Sequence, residues 1–246
     1  MTKLRDILAI LDAIAPFDAA EAWDNVGLMV GDPAQEVRSV LISLDPSFSA
    51  IGEALRERAD LMITHHPLLM SPLERLDLSE AAARKIGMLI RGGISLASLH
   101  TNLDAAPGGV ADILAEKLGL GEVQSAGALR QGTIPEEMPL HAWARSLPFT
   151  RMRIVDAGRP VKRVCACPGS GMSFLKEARK RGCDTFVTGD VRYHAALDAQ
   201  EAGINVVDPG HFHTEQIALA PLARRLRTEL GHLSIKVHAA QDVFTP

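Results

Sequence analysis

Short apolar runs alternate with amphipathic stripes along most of this chain, and this alternation limits the folds open to it. Residues 40–45, 60–66 and 94–100 have the length and composition of strands, and helical periodicity lies between them at 48–59 and 79–91. Strands that alternate with helices favour a parallel or mixed sheet covered by helices. The sequence therefore predicts an α/β fold.

The same order of elements returns in the second half of the chain. We predict strands at 161–167, 184–188 and 204–207, with helices at 173–181 and 193–202 between them. In both halves the third strand leads to a histidine that is followed four residues later by a carboxylate. The pattern predicts two similar α/β lobes with mixed sheets, packed around a shared interlobe metal cleft.

The boundary between the lobes is expected between Gly121 and Gly132, at the start of a segment, 121–160, where Gly and Pro are frequent and apolar runs are short. We predict a first lobe over residues 1–125 and a second over 126–246. A long helix at 214–230 and a strand at 233–237 are expected to close the second lobe.

Composition excludes several classes of protein. The chain has 246 residues and a net charge of −4, without a basic stripe of the kind that binds nucleic acid. No stretch approaches the ~20 apolar residues of a membrane span, and charges interrupt the N-terminal apolar stretch, unlike in a signal peptide. The three cysteines are expected to be buried apolar residues rather than zinc ligands or a disulfide scaffold. We expect a cytoplasmic protein.

Two adjacent histidines, His65 and His66, end the apolar run that begins at Asp60. Successive residues of a strand point to opposite faces, so the two imidazoles converge only if the strand ends here and the chain turns. Pro67 is a natural stop. Open α/β sheets bind their ligands beyond the carboxyl ends of strands, and imidazole is a common ligand of borderline metals. The pair therefore predicts a metal site.

The internal repeat provides the remaining ligands of this site. If the strand ends of both lobes face one cleft, three imidazoles and two carboxylates converge there. Such a set can hold two metal ions ~3.5–4 Å apart, and mixed N and O donors without thiolate favour Zn, Fe, Mn, Co or Ni. The predicted ligands are His65, His66, Asp104, His211 and Glu215.

Of the other candidate residues, some have two interpretations and some are expected to lie outside the predicted site. His100 and His194 are candidate proton shuttles, although a capping or surface role suits His194 equally well. Asp104 and Glu215 also suit the first turn of a helix. His213 is expected to point elsewhere, and His141, His232 and His238 are interpreted as surface residues. The segment Trp23-Asp24-Asn25 either lines the cleft or places Trp23 in the core, and Gly169-Ser170-Gly171 is weak evidence for an anion site.

These motifs together resemble the dinuclear-metal-centre family whose members are labelled GTP cyclohydrolase 1 type 2 homologues. The resemblance extends in family order from residue 23 to residue 215. It rests on Trp23-Asp24-Asn25-Val26-Gly27-Leu28, Thr64-His65-His66-Pro67-Leu68, His100-Thr101-Asn102-Leu103-Asp104, Thr188-Gly189-Asp190 with Tyr193-His194, and Gly210-His211 with Thr214-Glu215.

The resemblance implies a two-lobed subunit that assembles into a toroidal homohexamer, with two divalent transition metals bound at the five positions named above and His100 nearby or ligating. It also implies GTP cyclohydrolase chemistry on a nucleotide or a similar small molecule. Two functions remain open: a metal-dependent hydrolase, and a metal-binding hexameric scaffold or regulator without turnover. A calcineurin-like phosphoesterase is a weaker rival, since the chain lacks the Asp-x-His that begins its motifs.

Overall fold

The computed structural model of this chain describes residues 2–244. They form two compact units. Unit 1 comprises the residues up to Leu103 together with those from Leu219 onward, and unit 2 runs from Asp104 to Ala218. This division differs from the predicted lobes 1–125 and 126–246, because the last segment of the chain returns to unit 1. Each unit is a mixed α/β structure, as the alternation of elements predicts.

Most predicted elements are present, with bounds shifted by a few residues. The first part of the chain forms β1 (Thr2–Lys3), α1 (Leu4–Ile14), β2 (Gly27–Val30), β3 (Glu36–Val37), β4 (Ser39–Ser43), α2 (Phe48–Arg56), β5 (Leu61–Thr64), α3 (Ala81–Gly92), β6 (Ser95–Ser98) and α4 (Thr101–Ala105). The middle forms α5 (Val110–Lys117), β7 (Gly121–Ala126), β8 (Leu129–Met138), α6 (Leu140–Ser146), β9 (Arg153–Val155), β10 (Val161–Ala166), α7 (Leu175–Lys180), β11 (Thr185–Val187), α8 (Tyr193–Glu201), β12 (Asn205–Asp208) and α9 (His211–Glu215). The last part forms α10 (Leu219–Glu229) and β13 (Ser234–Val237), and three short 3₁₀ helices lie at Phe17–Ala19, Met172–Phe174 and Gln216–Ala218.

Unit 1 is built on a five-stranded sheet in the order β13-β4-β5-β6-β2. The first four of these strands are parallel, and β2 lies antiparallel to β6 at the edge. Leu41, Met62 and Leu96 from the strands pack with Ile51 of α2 and Leu89 of α3 in one apolar cluster. This burial fixes the strands, so that the three ends after β4, β5 and β6 lie at one edge.

Unit 2 is built on a six-stranded sheet in the order β7-β8-β10-β11-β12-β9. The central strands β10, β11 and β12 are parallel, and β8 and β9 flank them antiparallel. The segment 121–160, where we expected the boundary between the lobes, supplies β7, β8, α6 and β9 to this unit. Most of β7 is exposed, which explains why it has no strong apolar signature.

The internal repeat extends to individual hydrogen bonds. One carboxylate oxygen of Asp60, just before β5, accepts from the backbone amides of Arg38 and Ser39 at 2.8 and 3.0 Å. Asp184, just before β11, accepts from the amides of Lys162 and Arg163 at 3.0 and 2.7 Å. In both units an aspartate therefore fixes the start of the preceding strand, which supports the predicted duplication.

Two expectations for the C-terminal segment need correction. The predicted helix 214–230 is α9, a 3₁₀ turn and α10, and α10 starts at Leu219 so that Pro221 falls in its first turn, where proline is tolerated. His238 is not a surface residue: it is 8% exposed and pairs with Glu53. Among the helices that the structure describes, none has the length and apolar content needed to span a membrane.

All three cysteines are buried in unit 2, as predicted. The structure nevertheless pairs Cys165 with Cys183 as a disulfide, which we did not expect from an odd and low cysteine count. Cys167 is a free thiol. Burial, followed by the negative charges of Asp104 and Glu215, raises the pKa of the Cys167 thiol above its ordinary range, so this thiol stays protonated.

Candidate metal centre

In unit 1, chemistry-bearing residues follow three neighbouring parallel strands. Asp45 follows β4, His65 and His66 follow β5, and His100 follows β6. The β5 strand ends at Thr64, immediately before the histidine pair, which is the condition under which the two imidazoles can converge. The Thr64 hydroxyl donates to the His66 carbonyl at 2.8 Å and fixes the turn.

A turn at residues 21–25 brings a further carboxylate to the same edge of the sheet. Because β2 runs antiparallel to β6, with Gly27 opposite Ser98, the residues before β2 lie beside the end of β6. Asp24 in this turn accepts from the Thr101 amide at 3.1 Å and from the Thr101 hydroxyl at 2.5 Å. The carboxylate is therefore held at the start of α4, next to His100.

The imidazoles of His65, His66 and His100, which we call the histidine triad, form a compact cluster. One ring nitrogen from each lies within 4.8 Å of the other two. The ring centroids are 5.0 Å apart for His65 and His66, 5.3 Å for His65 and His100, and 5.5 Å for His66 and His100. Three nitrogen donors this close can ligate a transition metal.

Each ring of the triad is oriented through its Nδ1 atom. Nδ1 of His65 donates to the Leu99 carbonyl at 2.9 Å. Nδ1 of His66 donates to Asp45 at 2.7 Å, and Nδ1 of His100 donates to Asp24 at 2.8 Å. Since these oxygens accept, the hydrogen of each neutral ring lies on Nδ1 and the lone pair lies on Nε2. This is the arrangement by which proteins orient metal-ligating histidines.

The surroundings favour a neutral imidazole at His100. Burial lowers the pKa of His100, and the neighbouring His65 and His66 lower it further, against the opposite effect of Asp24. Burial acts to raise the pKa of Asp24, but hydrogen bonds from His100 and Thr101 outweigh it and lower that pKa. At neutral pH the arrangement is therefore a neutral ring oriented by a carboxylate, and only neutral imidazole binds a metal.

Unit 2 brings together a different set at the end of β12. Helix α9 starts there, and its i,i+4 spacing places His211 Nε2 3.0 Å from a carboxylate oxygen of Glu215. Nδ1 of His211 donates to Asp190 at 2.7 Å. Glu215 is 3% exposed and Asp104, in α4, is 8% exposed. Carboxylates are seldom this buried unless they are paired or bind a cation.

Glycines allow α9 to approach the neighbouring strand ends. A Cβ on Gly169 would overlap the Glu215 carboxylate, and a Cβ on Gly189 would lie 2.7 Å from the His211 Cα. The Thr214 hydroxyl accepts from the Gly169 amide at 3.0 Å. The Gly171 amide donates to Thr188 at 2.7 Å. The turn Gly169-Ser170-Gly171 therefore uses one amide to hold α9 and another to hold the residue after β11, which weakens its interpretation as an anion site.

The donor chemistry fits the implied metals. The three imidazoles of the triad are oriented through Nδ1 by oxygen acceptors, and His211 Nε2 lies 3.0 Å from a Glu215 oxygen, so that both atoms can ligate one ion. The two buried carboxylates add oxygen donors without a thiolate. In unit 1 metal would be held by the predicted residues His65 and His66, with His100 beside them. In unit 2 it would be held by the predicted residues Asp104, His211 and Glu215.

Sequence reasoning missed the carboxylates that orient these rings. Asp45, Asp24 and Asp190 each lie at a strand end or in a turn beside one, and this position was the signal available in the sequence. Asp190 also has a left-handed backbone with φ of 55°, which is uncommon outside glycine. Of the other candidates, His194 is exposed in the first turn of α8, His213 is half-buried, and Trp23 is exposed rather than core.

Comparison with known proteins identifies the family. The family model described as Duf34/NIF3 (NGG1p interacting factor 3) matches residues 2–244. The chain belongs to the Duf34/NIF3 family. A relative in this family, the GTP cyclohydrolase 1 type 2 homolog of Clostridium perfringens, is 36% identical over 242 residues, covering 93% of this chain and 92% of that protein. The Helicobacter pylori protein named GTP cyclohydrolase 1 type 2 is 31% identical, with 88% of each chain covered.

Solved structures of NIF3-like proteins share the fold. A Staphylococcus aureus hypothetical protein has 27% identity and a TM-score of 0.89, with 99% of each chain covered. Reduced HcgD from Methanocaldococcus jannaschii has 29% identity and a TM-score of 0.87, covering 97% of this chain and 98% of that one. The resemblance inferred from the motifs is thus confirmed at the level of family and fold.

Proposed function

We propose that this protein is a metal-dependent hydrolase that acts on a nucleotide or a similar small molecule. Two divalent transition-metal ions are bound by His65, His66, Asp104, His211 and Glu215. The observation that carries the proposal is the orientation of the imidazoles: Nδ1 of His65, His66 and His211 is engaged by an oxygen acceptor, which leaves Nε2 as the donor. His238 also pairs with a carboxylate through Nδ1, but among the described residues it belongs to no cluster of potential metal donors, whereas these three histidines do.

The proposed reaction is the ring opening named by the relatives. Opening the imidazole ring of guanine requires attack of one water at the ring carbon between the two nitrogens, with cleavage of one C–N bond to leave a formamide. A second water then hydrolyses the formamide and releases formate. Bound divalent metal supplies Lewis-acid polarisation and lowers the pKa of water. In this chain, His100 accepts a proton beside the metal ligands because burial keeps its imidazole neutral. His194, exposed at the start of α8, is the second candidate proton carrier.

The family resemblance further supports assembly into a toroidal homohexamer. We also propose a cytoplasmic location, as expected from the low cysteine count. We also propose an alternative function, because the family description names an interacting factor. In that alternative the protein is a metal-binding hexameric scaffold or regulator. Metal binding is common to both functions, so turnover separates them.

The metal assignment is tested first. Protein loaded with Zn²⁺, Mn²⁺, Fe²⁺, Co²⁺ or Ni²⁺ and freed of excess is expected to retain up to two ions per chain by elemental analysis. The double variant His65→Ala/His66→Ala is expected to lose at least one of them. His141→Ala is the matched control, because this exposed histidine also pairs with a carboxylate, Asp156, at 3.3 Å. Unchanged stoichiometry in the double variant contradicts the assignment.

Turnover is tested next, on the metal-loaded wild-type protein. Formate release from GTP is measured together with hydrolysis of phosphoester and amide model substrates. The variant Asp104→Ala is expected to abolish turnover while circular dichroism shows an intact fold. Absence of turnover across the panel, with metal bound and a reproducible protein partner, favours the scaffold function instead.

A further inference from the structure

Trp23 lies at the edge of the histidine triad, largely in solvent. It is 60% exposed, whereas the other tryptophan of the chain, Trp143, is 3% exposed. The indole contacts His100 with ring centroids 5.9 Å apart and planes at 80°. Single exposed apolar side chains are common on protein surfaces, so exposure alone assigns no role. Two further features of Trp23 indicate a role: the hydrogen bonds that fix its backbone and the charged residues beside it.

The backbone around Trp23 is fixed by hydrogen bonds to the elements that build the triad. The Glu21 amide donates to the Thr101 hydroxyl at 3.0 Å, and the Asp24 amide donates to the Glu21 carbonyl at 2.8 Å. The Asn25 side-chain amide donates to the Leu69 carbonyl at 2.5 Å. The turn is therefore rigid although its largest side chain is exposed. A rigidly supported, exposed aromatic ring is suited to ligand contact, because little flexibility is lost on binding.

We propose that Trp23 stacks on a planar heteroaromatic ring of the substrate and makes this site selective for nucleobase-like ligands. The placement of the ligand rests on the proposed function. With 60% of its surface exposed, the indole cannot have both faces covered. Stacked rings lie about 4.5–7 Å apart between centroids. Because the indole contacts His100 edge-on, with centroids 5.9 Å apart, a ring stacked on its exposed surface lies next to a residue of the triad.

The charges around Trp23 select the ring of a nucleotide rather than its phosphates. Glu21 and Asp24 flank the indole in the sequence, and the Asp24 carboxylate is held in place by His100 and Thr101. Carboxylates repel phosphate groups, whereas every nucleobase offers a π-face for stacking. The phosphate or sugar part of the ligand therefore points away from this turn.

Tryptophan fluorescence tests the proposal without relying on activity. Trp143 is shielded, so acrylamide-accessible emission reports mainly Trp23. Guanosine and GTP are expected to quench this component saturably in metal-loaded protein, after correction for absorbance with free N-acetyltryptophanamide. Ribose 5-phosphate and tripolyphosphate are expected to leave it unchanged at equal concentrations.

Variants separate stacking from a structural role. Trp23→Ala is expected to weaken guanosine binding, measured by calorimetry, by about 5- to 100-fold. Trp23→Phe keeps an aromatic face and is expected to retain affinity closer to wild type. Phe48→Ala removes another exposed aromatic of unit 1, which is 40% exposed on α2, and is expected to bind guanosine as wild type does.

The outcomes distinguish this proposal from the proposed function. Equal guanosine affinity in Trp23→Ala and wild type overturns the stacking role, even if both proteins bind metal and turn over substrate. The stacking role is also overturned if Trp23 emission changes with protein concentration but not with guanosine concentration. That result assigns Trp23 to a contact between copies of the chain. Quenching that persists in protein unable to bind metal supports the stacking role even if the metal-dependent function fails.

Discussion

The two units use the same three parallel strands but place different residues at the strand ends. In unit 1 Val40 of β4 pairs with Leu61 of β5, and in unit 2 Val164 of β10 pairs with Thr185 of β11 in the corresponding place. This correspondence aligns Asp45 with Gly169, His65 with Gly189, and His66 with Asp190. Unit 1 thus fills its strand ends with imidazoles and an orienting carboxylate, whereas unit 2 has glycines there and brings in Glu215 and His211 on a helix. One scaffold supports a histidine-rich donor set and a carboxylate-containing one.

The largest predicted effect comes from replacing a glycine at a strand end of unit 2 by alanine. In Gly189→Ala the new methyl group meets backbone atoms, the His211 Cα at 2.7 Å and the Gly169 carbonyl oxygen at 2.8 Å. Backbone cannot yield as a flexible side chain does, so the strand end or α9 must shift. We expect a loss of about 3 kcal/mol in the free energy of unfolding, measured by urea denaturation.

A matched substitution in unit 1 has the opposite expected sign. Gly52 lies within α2, and a Cβ there meets only the end of the Arg56 side chain, at 3.5 Å. Gly52→Ala is expected to stabilise the protein by about 0.5–1 kcal/mol, because alanine loses less backbone entropy in a helix. If Gly189→Ala is tolerated equally well, the close approach of α9 is not what requires glycine in unit 2.

The second prediction tests whether the two units serve one metal centre. Asp45→Asn in unit 1 and Asp190→Asn in unit 2 each weaken the orientation and basicity of one histidine, at His66 and His211. We expect each to lower metal affinity about 10- to 100-fold, measured by competition with a chromophoric chelator. Asp156→Asn, beside the exposed His141, is the control and is expected to leave affinity unchanged.

The number of metal-binding steps that each substitution changes decides between one shared metal centre and two separate sites. A dinuclear centre predicts that either substitution perturbs both metal-binding steps, since neighbouring ions share ligands. Separate sites predict that Asp45→Asn changes one step and Asp190→Asn changes only the other. That second result contradicts the dinuclear part of the proposed function while preserving metal binding.

The sequence predicts the order of strands and helices well because burial imposes regular periodicities. The histidine pair was placed at a strand end for the same reason, and β5 does end at Thr64. The orienting partners Asp24 and Asp45 were not assigned as such, because their pairing with His100 and His66 depends on side chains that meet from distant turns. Local patterns carry no information on such distances.

The division into units was harder to infer for a topological reason. Helix α10 and strand β13 follow unit 2 in the chain, yet β13 pairs with β4 in unit 1. A reading from one end of the sequence to the other assigns them to the second lobe. The Cys165–Cys183 disulfide was likewise missed, because cysteine count alone does not show which thiols are adjacent.

The last predictions test the duplication itself through the paired aspartates. Asp184 is 6% exposed, and besides the two backbone amides it accepts from the Thr185 hydroxyl at 2.8 Å. Asp60 is half-buried and accepts from two amides. Removing a charged acceptor from buried donors costs more where water cannot replace it.

We therefore expect Asp184→Ala to lower the free energy of unfolding by about 2 kcal/mol and Asp60→Ala by about 1 kcal/mol, both from urea midpoints at constant slope. Asp77→Ala is the control: this aspartate is fully exposed and bonds only locally to Ser79, so no measurable change is expected. If Asp60→Ala costs more than Asp184→Ala, burial does not set the strength of this repeated interaction. Equal and negligible costs in both variants indicate that the aspartates mark the repeat without stabilising it.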